Sequence, residues 1–126
     1  MSTISVNYIN GLGEAALRPV SGVAAYWIDF DGGNSGSPSV LDSVNSSSFT
    51  DDGTGAFTFS LSSAISTTSY SLTCGATIST RNASNYGWWS TEYGIRTSST
   101  YKIRQHNAPY TLTDCFSCQA IHGDLA

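Results

Sequence analysis

Eight consecutive residues set the architecture of this chain: Val23-Ala24-Ala25-Tyr26-Trp27-Ile28-Asp29-Phe30. Successive side chains of a β-strand point to opposite faces of its sheet. Tyr26, Ile28 and Phe30 therefore share one face, and Trp27 and Asp29 share the other. Because bulky groups occur on both faces, the pattern predicts a central strand or a strand at an interface. The strand is expected to end at the turn-forming residues Asp31-Gly32-Gly33.

The same period of two recurs along the rest of the chain. Phe57, Phe59 and Leu61 alternate with polar residues, and Asp51-Asp52-Gly53-Thr54-Gly55 just before them predicts a hairpin turn. Further strands are predicted over residues 40–49, 70–76, 101–104 and 111–121. Turn signals separate these strands and helical periodicity is nearly absent, so we expect an all-β fold, an antiparallel sandwich or jelly-roll-like module.

The beginning of the chain differs from this pattern. Ile4, Val6 and Tyr8 alternate briefly, and then Gly11-Leu12-Gly13 and Arg18-Pro19 are expected to interrupt any regular element. Residues 1–21 are therefore predicted to form an extended N-terminal attachment arm, and residues 22–126 the β-sandwich. Such an arm can add a strand to a neighbouring sheet edge. The alternative interpretation is a frayed terminus.

The composition favours contacts between subunits. Only 11% of the 126 residues are charged, while the chain has seven Tyr and three Trp, and interface cores are depleted in charge and enriched in these aromatics. A net charge of −4 with only five Lys and Arg argues against nucleic acid as a partner. No apolar run is long enough for a membrane helix, and the first residues do not resemble a signal peptide, so neither membrane insertion nor signal-driven secretion is expected.

Two segments resemble a β module found in tail-fibre and other virion proteins of bacteriophages, many of them marine. Ala25-Tyr26-Trp27-Ile28-Asp29-Phe30-Asp31-Gly32 is similar to the family's Ala-Trp-Val-Asn-Phe-Asp-Gly strand. Residues 42–59, from Asp42-Ser43-Val44-Asn45 to Thr54-Gly55-Ala56-Phe57-Thr58-Phe59, are similar to its Asp-Ser-x-Asn-Val-Ser-Ser-x-Thr-Asp-Asn-Gly-Thr-Gly hairpin. Residues 70–76 and the terminal Gly123-Asp124-Leu125-Ala126 also resemble the family, whereas residues 77–110 match no pattern.

This resemblance implies a trimeric, adhesive or decorative module on the virion surface, made in the bacterial cytoplasm and without catalysis. The expected partners are two further copies of the chain, other capsid or tail proteins, and a glycan or protein of the host surface. The main hypothesis is a tail-fibre-like component that contacts the host. A capsid decoration protein, as cement or head fibre, is the alternative, which a short chain with an arm favours. A virion-associated depolymerase is a weaker third hypothesis.

Catalytic signatures are missing from the sequence. There is no Gly-x-Ser-x-Gly nucleophile motif, and His106 and His122 are the only histidines. Glu14 and Glu92, the only glutamates, are expected in the arm and in a loop, so no carboxylate pair for glycoside hydrolysis is predicted. We therefore expect no catalytic residues and no cofactor.

Two segments could in principle hold a metal ion. Cys115 and Cys118 have zinc-knuckle spacing, with Cys74 and either histidine as further ligands. In a regular strand, however, an odd offset places the two side chains on opposite faces, so we expect reduced, small buried thiols and no zinc. Asp29-Phe30-Asp31-Gly32-Gly33-Asn34 faintly resembles a calcium loop, but it lacks enough oxygen ligands, and turn-forming Asp is the preferred interpretation.

Four aromatic residues are the candidate recognition site: Tyr86, Trp88, Trp89 and Tyr93. Arg81-Asn82 precedes them and Arg96 follows. Aromatic rings beside polar groups suit the recognition of sugars or of a protein receptor, because the rings stack while the polar atoms fix orientation. The alternative is that the tryptophans fill the core or a subunit interface.

Overall fold

The computed structural model describes residues 8–9, 18–19, 24–33, 36–77, 89–107 and 110–126. The strands in these residues are β1 (Tyr8–Ile9), β2 (Arg18–Pro19), β3 (Ala24–Asp31), β4 (Ser39–Val44), β5 (Ser46–Asp51), β6 (Ala56–Leu61), β7 (Ser71–Thr77), β8 (Trp89–Arg96), β9 (Thr100–Asn107), β10 (Thr111–Leu112) and β11 (Phe116–His122). The described residues contain no helix long and apolar enough to cross a membrane.

Two antiparallel sheets pack face to face, which confirms the predicted all-β sandwich. The first sheet has the strand order β4-β3-β11-β7. In the second sheet, β9 pairs on one edge with β6 and then β10, and on its other edge with β8, while β5 lies outside β6. Strand β3 lies between β4 and β11, so the expectation of a central strand is also confirmed.

The core is built mainly from aromatic rings. Its side chains come from the inner faces of both sheets, chiefly Tyr26, Ile28, Phe30, Phe57, Phe59, Tyr101, Ile103 and Ile121. The ring of Phe30 lies 4.9 Å from the rings of Phe49 and Phe57 and 5.0 Å from that of Phe59, in edge-to-face contacts. Such pairs add about 0.5–1.5 kcal/mol beyond the burial of their area. The face predicted from the alternation of β3 is therefore the buried face.

The segment predicted as one strand over residues 40–49 is two strands in different sheets. The chain leaves β4 and enters β5 at Asn45, whose φ of 60° is left-handed. Asn tolerates this conformation better than most residues. Its amide nitrogen donates to the carbonyls of Ala25 and Ser63, and its side-chain oxygen accepts from the Ser63 N–H. The prediction was wrong because the alternation of side chains continues across the corner. The hydrogen bonds that form the corner join residues far apart in the sequence, which the local pattern does not reveal.

Three further expectations need correction. The predicted closing strand over residues 111–121 is interrupted, because β10 belongs to the second sheet and β11 to the first. Strand β8 was not predicted, and Glu92 lies in it and not in a loop. In the predicted arm, Arg18-Pro19 does not interrupt regular structure but pairs with β1. Most of residues 1–21 lie outside the described residues, so the arm remains a prediction.

The predicted turn over residues 51–55 is confirmed as the hairpin between β5 and β6. The Asp52 N–H donates to the Ala56 carbonyl, and the Ala56 N–H to the Gly53 carbonyl. Gly55 has a φ of 65°, and a Cβ atom there would lie 2.6 Å from the Thr113 nitrogen and 2.7 Å from the Gln105 carbonyl oxygen. This glycine lets the hairpin touch the backbone of β9 and of the crossing to β11.

We predict that Gly55→Ala lowers the free energy of unfolding by about 3 kcal/mol or more, because left-handed strain of about 1–2 kcal/mol adds to a clash with backbone atoms. Gly94→Ala is the matched control: its φ is 77°, but nothing lies within 4 Å of its Cβ position. Urea denaturation of both variants measures the difference. Equal losses would show that the close approach at Gly55 costs nothing.

Candidate recognition and contact surfaces

A network of hydrogen-bonded polar side chains lies in the interior between the two sheets. The hydroxyls of Tyr26 and Tyr101 are 2.8 Å apart and hydrogen-bonded, and the Tyr101 hydroxyl donates to Gln119 Oε1 at 2.5 Å. Gln119 Nε2 donates to Ser117 Oγ at 2.9 Å. Gln105 Nε2 also donates to Ser117 Oγ, at 3.0 Å, and Gln105 Oε1 accepts from the Cys115 N–H. These groups satisfy one another within the sandwich.

The buried tyrosines of this network are held in their neutral form. Burial raises the pKa of both Tyr26 and Tyr101 far above the ordinary value of about 10, since a phenolate would lose its hydration. The neighbouring Tyr26 hydroxyl raises the pKa of Tyr101 further. The network is therefore suited to fixing the position of β11 against β9, and proton exchange at neutral pH is disfavoured.

The cysteines do not share one environment. Cys115 is buried and Cys74 half-buried, and burial raises the pKa of each thiol to about 12, with nearby carboxylates adding to the effect. Cys118 is exposed on the outer face of β11, and its thiol lies 3.7 Å from Asp29 Oδ1. The expectation of buried thiols is thus wrong for Cys118. None of the three forms a disulfide with another, and the described residues contain no cluster of three or more potential metal ligands.

The aspartates at the predicted turns do bind backbone groups. Asp31 Oδ1 accepts from the Gly33 N–H at 3.0 Å, and Asp51 Oδ1 from the Gly53 N–H at 2.9 Å. Each carboxylate thereby closes a local turn two residues long, which confirms turn-forming Asp at these positions. His106 lies on β9 and His122 on β11, in different sheets.

Of the four candidate recognition aromatics, the structure places one side chain. Tyr93 is 45% exposed on β8, and the guanidinium carbon of Arg104 lies 3.3 Å from the centre of its ring. Trp89 begins β8, but its side chain lies outside the described residues, as do Tyr86 and Trp88. Arg96 forms an ion pair with Glu92 within β8. The proposed cluster of four therefore stays a prediction.

A second aromatic surface was not singled out from the sequence. On the outer face of the first sheet, Trp27 borders a shallow depression of about 420 Å³, lined also by Ile28, Asp29, Thr73, Cys118, Gln119 and Ala120. Ala120 is the cross-strand partner of Trp27 and of Thr73, and Cys118 that of Asp29 and Gly75. Small side chains on β11 and β7 leave the space beside the indole ring open.

The depression combines the groups that bind a sugar ring. An indole offers a stacking surface, and the Asp29 carboxylate can accept hydrogen bonds from hydroxyl groups at its edge. The alternation of β3 places Trp27 on the face opposite Tyr26, but it does not show that Ala120 lies beside Trp27 on the neighbouring strand.

No family model, no curated protein and no solved structure matches this chain.

We predict that stability falls at alkaline pH. A raised pKa in the folded state contributes stability that is present below the unfolded pKa, about 10 for Tyr, and is lost as pH rises towards the folded value. Each buried Tyr then lowers the free energy of unfolding by about 1.4 kcal/mol per pH unit above pH 10.

Urea denaturation between pH 7 and pH 11 measures how stability falls with pH, to which the buried thiols of Cys74 and Cys115 also contribute because their pKa values are raised to about 12. Tyr101→Phe should make the fall above pH 10 shallower by the contribution of one tyrosine. At pH 7 the same variant should lose about 1–3 kcal/mol, because Gln119 Oε1 and the Tyr26 hydroxyl lose their partner. Tyr110→Phe, at an 80% exposed position, should leave the slope unchanged. An identical slope in all three proteins would contradict the role given to the network.

Proposed function

We propose that the protein is a non-enzymatic structural component of a bacteriophage virion, displayed on the particle surface as a homotrimeric β module that contacts the host as a tail fibre does. The resemblance of residues 25–61 to phage virion modules carries this proposal. In the fold these residues form β3, β4, β5 and β6, so the resembling segment supplies strands to both sheets and the corner between them.

The distribution of polar groups agrees with a structural role. The buried Tyr, Gln and Ser side chains hydrogen-bond one another across the sandwich, so they hold the two sheets together. Among the described residues, most of the large aromatic and apolar side chains that remain accessible lie on the outer face of the first sheet or along the edge strands, where other molecules can bind them. This arrangement supports a function exercised through surface contacts.

The test is immunogold electron microscopy of particles of the encoding phage, with an antibody against the purified chain. Label at the tail, in a few copies per particle, is the expected result. Label over the head in tens to hundreds of copies would instead support the capsid decoration alternative. Unlabelled particles would contradict both. Cleavage of host surface polysaccharide by the purified protein would contradict the non-enzymatic role.

Host contact makes a prediction about Trp27. If the depression on the first sheet binds a host surface sugar, Trp27→Ala should weaken the binding of purified, fluorescently labelled protein to host cells about tenfold, since the stacking surface is lost. Tyr110→Ala is the control, because it also removes an exposed ring but lies at the turn before β10. Cell binding that is unchanged by Trp27→Ala would exclude this depression as the contact site.

A further inference from the structure

Exposed apolar side chains are concentrated on two edge strands. Of the seven large apolar residues exposed among the described residues, five lie on β4 or β8: Val40, Leu41 and Val44 on β4, and Tyr93 and Ile95 on β8. Each of these five is between 38% and 49% exposed. Edge strands that expose apolar residues pair readily with other chains, so proteins usually protect such edges. Here neither edge is protected by a lysine or a proline within the strand.

The two edges lie on opposite sides of the sandwich. Strand β4 ends the first sheet and continues through Asn45 into β5, so β4 and β5 share one side. Strand β8 ends the second sheet and contacts β7 on the other side. Two different patches suit a heterologous contact, in which one patch of each copy meets the other patch of the next copy. Such contacts form a ring if the rotation between copies closes, and an open filament if it does not. A twofold dimer would instead need one self-complementary patch.

The backbone of β8 is irregular at the two apolar residues that it exposes, Tyr93 and Ile95. Glu92 pairs with Ile103 and Arg96 with Tyr101, so three residues of β8, Tyr93 to Ile95, stand opposite a single residue of β9. Gly94 in the middle has a φ of 77°. Bulges of this kind redirect side chains at sheet edges. The irregularity is therefore what exposes Tyr93 and Ile95.

The charges on the two edges are complementary. The Lys and Arg side chains that the structure describes, Arg96, Lys102 and Arg104, all belong to β8 and β9. The strands of the first sheet contain no Lys or Arg, and Asp42 is the carboxylate on β4. Because Glu92 balances Arg96 within β8, the opposite charges that a contact between β4 and β8 brings together are those of Asp42 and Arg104.

Two charged residues, Asp42 on the β4 edge and Arg104 on β9 beside the β8 edge, lack an ionic partner in the described part of the chain. Asp42 is exposed among the apolar residues of β4, and its carboxylate accepts only from the Ser43 N–H. Arg104 stacks on Tyr93, and its Nε is buried without a hydrogen-bond partner. By contrast, Arg96 pairs with Glu92, and Lys102 pairs with Asp52 at 3.2 Å.

We propose that the β4 edge of one copy packs on the β8 edge of the next, and that three such contacts close the trimer. In each contact, Asp42 of one copy pairs with Arg104 of the next. The β4 edge consists of Val40, Leu41, Asp42 and Val44, and the β8 edge of Tyr93 and Ile95 with Arg104 beside them. The proposal rests on the trimer of the proposed function and assigns its interface. In each contact, the apolar side chains of β4 cover Tyr93 and Ile95. The Arg104 guanidinium, which stacks on Tyr93, gains the Asp42 carboxylate of the neighbouring copy as its ionic partner. Burying the ion pair among apolar groups strengthens its selectivity for this arrangement.

Charge reversal tests this contact in the full chain. Wild-type protein in sedimentation equilibrium should show three times the chain mass of 13.3 kDa. Asp42→Arg and Arg104→Asp should each weaken the association about 100-fold or more at every contact, because like charges then face each other. The double variant should recover the trimer, because each contact regains an opposite pair. Asp124→Arg, which changes the net charge by the same amount as Asp42→Arg at an exposed site outside β4, β8 and β9, should remain trimeric.

Each contrary result is informative. A trimer unaffected by either single reversal would overturn the assigned interface and leave the trimer itself intact. Single variants that dissociate without recovery in the double variant would overturn the pairing of Asp42 with Arg104. A wild-type monomer at all concentrations would overturn both the interface and the trimer of the proposed function. Circular dichroism of each variant verifies that it is folded.

Disulfide trapping gives a second test that does not depend on the charge variants. In a Cys118→Ser background, which removes the exposed native thiol, Leu41→Cys combined with Ile95→Cys should yield covalent species up to three chains after mild oxidation. Either cysteine alone should yield no covalent trimer, because a heterologous contact brings position 41 against position 95 and not against itself. Absence of the covalent trimer in the combined variant would contradict the interface.

Discussion

The remaining structure depends on one constraint, the buried hydrogen-bond network between the two sheets. It links Tyr26, Tyr101, Gln119, Ser117 and Gln105. It crosses between the sheets three times, once from β3 to β9 and twice between β9 and β11. Apolar packing alone would tolerate small shifts of one sheet against the other, but each of these buried polar groups loses about 1–3 kcal/mol if its partner moves away. The network therefore specifies one alignment of the sandwich, around which the aromatic core packs.

With the interior fixed in this way, the outer surface is free for contacts. Few charges cover it, and among the described residues most of the exposed large apolar side chains lie on the two edge strands β4 and β8, while Trp27 borders the outer depression. The depression suits the recognition that we propose, and the two edges suit the contacts that we propose between copies. A trimer built through the edges would leave the outer face of the first sheet, with Trp27, available to a partner outside the trimer.

The segment that resembles phage virion modules contributes to the core and to two surfaces. The resembling segment contains β3, whose inner residues form the core and whose outer residue Trp27 borders the depression. It also contains β4, which exposes Leu41 and Asp42 at a sheet edge. The same segment therefore supplies core residues and also residues of the two surfaces on which the proposed recognition and association depend.

The sequence by itself determined the all-β class, the central position of β3 and the hairpin at residues 51–55, because alternation and turn composition are local properties of the backbone. It did not determine the corner at Asn45, the crossing at Cys115 or the bulged strand β8, since these depend on bonds between distant residues. Only the tertiary structure placed Ala120 beside Trp27 and separated Cys118 from Cys115. Side-chain periodicity decides which residues face inward, whereas pairing between strands decides which of them meet.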